Sequence, residues 1–183
     1  MTGRRKTPAR VMAWQRRVVA MVDTFLSRGS MTIYLTLLMS LILQVFPLPD
    51  WASQLRPQWP LLFLIYWSML FPERIGIFTA MIVGLFTDVM LDALLGQHVL
   101  SYAIAIFIVI TAYKRLRLMH VWQQALAVFF LLMIERIITA MVLGMTRGQA
   151  TDLSFWVPPL AGMLIWPLLG LLFRDLYRKA RLG

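Results

Sequence analysis

Six apolar runs, Met31–Phe46, Trp59–Phe71, Ile75–Leu95, His98–Tyr113, Trp122–Met145 and Phe155–Phe173, take up most of this chain of 183 residues, and the links between them are short. Runs of this kind form helices that cross a bilayer, which takes about 20 apolar residues each. Only 14% of residues are charged and 60% are hydrophobic, whereas a soluble domain carries about a quarter charged residues. The expectation is an all-α integral membrane protein with six transmembrane helices, in which short links make successive helices antiparallel neighbours. The second run is the awkward one. Its 13 residues rise only about 20 Å as a helix, so it must borrow neighbours, thin the bilayer or be half re-entrant.

Charge sets the orientation. Pro47, Pro49 and Pro57, with Asp50 and Arg56, mark the first loop as non-helical. Seven Lys or Arg precede the first run, one follows the second, three follow the fourth and four close the chain, against only Arg56 and Arg147 on the opposite side. This positive-inside bias puts both termini in the cytoplasm and requires an even number of crossings. The division is then a basic cytoplasmic segment at 1–29, a six-helix membrane domain at 30–175 and a basic cytoplasmic tail at 176–183. The pI of about 11.1 follows from topology and suits anionic lipids, and no free-standing basic domain suggests nucleic acid. Cysteine is absent, which excludes disulfides and thiolate chemistry. No cleavable secretory signal is evident, so the first span reads as an uncleaved anchor.

Residues Arg10 to Arg28 form an amphipathic pattern. Val11, Trp14, Val18, Val22 and Phe25 share one half of a helix, and Arg10, Arg16, Arg17, Asp23 and Arg28 the other. Such a helix lies on the cytoplasmic leaflet or docks on a cytoplasmic partner, with Arg16, Arg17, Lys114, Arg115 and Arg117 as basic contacts.

The costly residues are the acids inside the third and fifth runs. The segment Gly84–Gly96 reads G-L-F-T-D-V-M-L-D-A-L-L-G, and a carboxylate in hydrocarbon needs a protein partner. In steps of four, Gly76, Ala80, Gly84, Asp88, Asp92 and Gly96 make a ridge of small residues that turns acidic, a face suited to close helix packing. Glu135 and Arg136 interrupt the fifth run at a similar depth. Arg136 is therefore expected to pair with Asp88 or Asp92, while Glu135 faces another neighbour or takes a proton. A structural polar cluster explains these residues with less than a proton relay does.

His98 and His120 lie at span ends and read as interfacial residues. There is no H-E-x-x-H, G-x-S-x-G or glycine-rich phosphate loop, so neither an enzyme nor a cofactor is expected. Trp51, Trp59, Phe71, Tyr113, Trp122 and Trp156 fall at predicted borders as anchoring belts. Tyr66, Trp67, Trp166 and Pro167 lie deeper and outline a candidate groove, with Pro158, Pro159 and Pro167 bending the last helix.

The order of several short motifs resembles the MreD family of rod shape-determining proteins: F-P-L-P-D at Phe46–Asp50, R-P-Q-W at Arg56–Trp59, L-I-Y-W at Leu64–Trp67, Gly84 with Asp88 and Gly96, W-Q-Q-A-L at Trp122–Leu126 and I-W-P at Ile165–Pro167. The match runs from about Met31 to Arg178. It implies a bacterial inner-membrane protein of the elongation machinery, without known catalytic activity, acting as a scaffold that binds MreC and supports rod shape and lateral peptidoglycan synthesis. The wider partners it implies are MreB, RodA and a penicillin-binding transpeptidase. Glu135 falls where the family tends to carry an acid; Asp92 replaces a usual small residue. The family is also distantly similar to substrate-binding components of energy-coupling-factor vitamin transporters. This implies an alternative, a small-molecule or lipid-precursor binder with a cavity lined by Tyr66, Trp67, Asp88 and Trp166.

Overall fold

The computed structural model describes residues 28–47, 49, 55–147 and 152–182, with backbone alone at 28–30, 147 and 174–182. The amphipathic pattern that carries Arg16 and Arg17 lies outside these residues. Six α-helices follow in order: α1 (Arg28–Val45), α2 (Trp59–Leu70), α3 (Ile77–Met90), α4 (Gln97–Leu118), α5 (Val121–Arg147) and α6 (Pro158–Leu182), with a short 3-10 turn at Leu153–Trp156 before the last. Among the described residues there is no strand.

The short second helix is the hub. Among the described residues α2 packs on each of the other five helices. Leu61, Leu62, Leu64, Ile65 and Trp67 are all fully shielded, so the helix is apolar on every side because every side meets protein. At 12 residues the helix gains no length from adjoining residues; its sides are matched to other helices instead of to lipid. Pro60 sits in its first turn, where a missing N–H costs nothing, and Pro72 follows just beyond its end.

The other helices bury one stripe and expose an apolar back. In α1 the buried stripe is Ile33, Leu37, Ser40 and Leu41, and in α3 it is Ala80, Val83, Gly84, Thr87 and Asp88. Leu35, Leu38, Phe78, Phe86, Phe107, Phe130 and Leu168 all face outward. An apolar exterior around buried polar groups is the pattern expected of a protein whose solvent is lipid. Three segments, Gln97–Leu118, Val121–Thr146 and Leu153–Phe173, are long and apolar enough to cross a membrane; the helical parts of α1, α2 and α3 are apolar but shorter.

Between α2 and α6 the core is aromatic. Phe173 stands 4.7 Å from the Phe63 ring, 4.8 Å from Tyr66 and 5.4 Å from Trp67. The indole N–H of Trp67 donates to Thr36 Oγ1 on α1 at 2.9 Å, which satisfies the one polar atom of a buried ring. The last helix starts at Pro158, so the Pro158-Pro159 pair opens it instead of bending it, and it then continues through Pro167.

The chain turns twice at the upper end of this bundle, where α1 and α3 finish and α2 and α4 begin. The guanidinium of Arg56 donates to the Gln44 and Phe46 carbonyls, 2.6 and 2.7 Å away, closing the end of α1. Such bonds answer the orphan carbonyls of a helix C-terminus. The lower end is formed by the end of α2, the end of α4 and the start of α5.

Candidate functional site

Asp88 is completely buried in the last turn of α3. Its Oδ2 accepts the backbone N–H of Gly96 at 2.8 Å, and its Oδ1 accepts the backbone N–H of His98 at 2.9 Å. These amides open α4. Gly96, at its N-cap, has no side chain to receive them and takes a left-handed φ of 101°, a conformation natural to glycine. A carboxylate from one helix thus caps the next, where aligned peptide dipoles favour a negative charge.

His98 extends this contact sideways. Its Nδ1 lies 2.7 Å from Asp88 Oδ1. With Asp88 as acceptor, Nδ1 carries the hydrogen and Nε2 points to Glu135 Oε1, 3.7 Å away on α5. Glu135 is completely buried as well; Thr139 Oγ1 donates to its Oε1 at 3.0 Å, and the Gln58 side-chain amide, just before α2, donates to its Oε2. The ring of Tyr102 meets His98 edge-on, with centroids 5.6 Å apart. Asp88, His98, Glu135 and Gln58 therefore tie α3, α4, α5 and the entry to α2 into one polar knot.

Gly84 makes the knot possible. A Cβ there would lie 2.7 Å from the carbonyl oxygen of His98 and 2.8 Å from Val99 Cα, so only glycine lets α3 approach the backbone of α4 this closely. Among the described residues the most extensive helix contact, α3 against α4, is built on this face. Of the predicted ridge, Gly84 and Asp88 meet α4 and Ala80 is buried, while Gly76 and Gly96 stand at helix caps.

Three expectations give way here. Asp92 is outside the ridge: α3 stops at Met90, and Asp92 is an exposed turn residue with a φ of 50°. Arg136 does not pair with Asp88 or Asp92. Its Nε sits 3.8 Å from Glu135 Oε2 and its guanidinium stacks 4.7 Å from the Phe155 ring centre, because Asp88 is already filled by donors from α4. His98 is a buried member of the cluster, not an interfacial residue. A histidine two residues past a glycine, ten residues after an intramembrane aspartate, was the available signal.

The candidate groove residues separate. Tyr66, Trp166 and Pro167 line a cavity at the lower end together with Arg117, whereas Trp67 is buried against α1 and Asp88 belongs to the upper end. Lys114, Arg115 and Arg117 are exposed near the end of α4. Among the described residues no group of three His, Asp or Glu could hold a metal ion.

An all-helical fold with an apolar exterior, three segments long enough to cross a bilayer and a buried acid–histidine–acid knot defines an integral membrane protein held together by interior polar contacts. The chain belongs to the MreD family: the model described as rod shape-determining protein MreD matches residues 24–179. A rod shape-determining protein MreD of Haemophilus influenzae is 30% identical over 154 residues, which covers 82% of this chain and 93% of that protein. No solved structure matches, and the expected likeness to vitamin-transporter components finds no support there. Membership implies a part in determining rod shape.

Proposed function

We propose that the chain is a multi-pass scaffold of the bacterial inner membrane, with both ends cytoplasmic, that binds the bitopic protein MreC and helps hold the elongation machinery together during lateral peptidoglycan synthesis. In this reading MreB, RodA and the penicillin-binding transpeptidase are reached through that assembly. Besides family membership, the observation that carries the reading is the knot. All four carboxylate oxygens of Asp88 and Glu135 have donors within the chain, so these acids are engaged in holding helices. A fixed bundle with apolar backs on α1, α3 and α5 suits recognition by packing in lipid, without turnover.

The biased distribution of Lys and Arg supports an orientation with the knot at the periplasmic end and Lys114, Arg115 and Arg117 in the cytoplasm. The test is recovery of an MreC-type partner with the full chain after extraction in mild detergent. Recovery by the wild-type chain is expected, with a reduction for Gly84→Leu, which forces α3 away from α4, and none for Gly144→Ala. A wild-type chain that brings down no such partner overturns the scaffold.

A further inference from the structure

At the lower end two cavities adjoin, sharing Leu70 and Arg117. The larger, of about 490 Å³, has walls that are mostly apolar, including Tyr66, Trp166, Pro167 and Leu171. The smaller, of about 260 Å³, carries Glu73, Arg74 and Tyr113. An apolar chamber beside a polar one, with Arg117 lining both, suits an amphiphile, tail and head. We infer that this double cavity holds one anionic membrane lipid, its phosphate beside Arg117 and an acyl chain against Trp166, Pro167 and Leu171.

Charge selects the occupant. Beside Glu73 at the polar chamber stand the exposed bases Lys114, Arg115 and Arg117 on the last turns of α4, so a net negative headgroup is drawn in more strongly than a neutral one. Position agrees, since Arg117 lies where an apolar helix ends and headgroups begin. Gly170 leaves the room: it lines the apolar chamber, and a Cβ added to it meets no atom within 4 Å. The leaflet involved, the cytoplasmic one, rests on the proposed orientation; the site itself does not.

The experiment uses the full chain in detergent, which has no sides, so its failure is separate from any failure of the scaffold reading. Native mass spectrometry and thermal unfolding are compared for phosphatidylglycerol, phosphatidylcholine of the same acyl chains, and inorganic phosphate. One phosphatidylglycerol per chain is expected to be retained and to raise the unfolding temperature, with phosphatidylcholine retained less and inorganic phosphate without effect. Arg117→Gln, at an exposed position, should weaken phosphatidylglycerol about fivefold, the effect of one basic side chain at a charged surface, and phosphatidylcholine by less. Gly170→Leu fills the apolar chamber without removing a helix former and should reduce retention of both lipids while circular dichroism stays that of the wild type. Equal retention of the two lipids by the wild type, a full effect of inorganic phosphate alone, or unchanged retention by both variants overturns the assignment. So does a Gly170→Leu chain that keeps its lipid but loses a partner protein, which would make the chamber a helix-docking site.

Discussion

At Gly84 the distance between fitting and clashing is a single methyl group. Gly84→Ala places that methyl against the backbone of His98 and Val99, not against a side chain that can swing away. A loss of about 1–3 kcal/mol is expected, the usual cost of overpacking. Gly144→Ala, exposed on α5 with no atom within 4 Å of the added carbon, should instead gain up to about 1 kcal/mol from helix propensity. Thermal unfolding in detergent checks both, and equal shifts for the two would contradict the close α3–α4 approach. The same assay separates the two aspartates. Asp88→Asn turns an amide toward three donors and should cost about 1–3 kcal/mol, whereas Asp92→Gly relieves a left-handed residue in an exposed turn and should be neutral or stabilising by up to about 1 kcal/mol. The interior place of Asp88 is legible from an acid in the middle of an apolar run; the same reasoning misplaces Asp92, which lies beyond the end of α3 and is exposed. The partner of Asp88 is not legible, because backbone amides leave no mark in a sequence and His98 reads like any residue at a span border.

Among the helices, α2 and α6 illustrate opposite relations between composition and place. Both are apolar, but α2 meets protein on every side and α6 exposes Leu164, Leu168, Leu171 and Leu172. Leu62→Ala, at a fully buried position, should therefore cost about 2–5 kcal/mol. Leu168→Ala, at 64% exposure, should stay within about 0.5 kcal/mol as a surface change. Chemical or thermal unfolding in one detergent decides it, and similar losses would mean that α2 is not the hub. Helix number and most boundaries are legible because apolar runs and prolines mark them. The end of α3 is missed by several residues, since Leu91 to Leu95 contain neither glycine nor proline. What stops the helix there is Asp88 binding amides further along the chain, a tertiary cause that local propensity cannot express.

For the molecule as a whole, the lack of cysteine makes orientation directly measurable. Asp152→Cys, beside the link from α5 to α6, and Lys114→Cys, near the end of α4, place single thiols at opposite ends of the bundle. A membrane-impermeant reagent should label the first in cells with a permeabilised outer membrane and the second only after the inner membrane is broken; the reverse pattern would invert the proposed topology. The bias of Lys and Arg carries that expectation without any coordinates. Which helix lies in the middle is not carried the same way, because short links fix only which helices are sequential neighbours and leave the sixfold arrangement open.

The capping of one helix by an acid of the helix before it also bears on biosynthesis. Asp88 is synthesised before Gly96 and His98, which supply its hydrogen-bond donors. A lone α3 leaves that carboxylate, near the end of the helix, without these donors, at a cost of about 1–3 kcal/mol. The two helices therefore gain most by leaving the insertion channel together as a hairpin, with the growing chain itself timing their release.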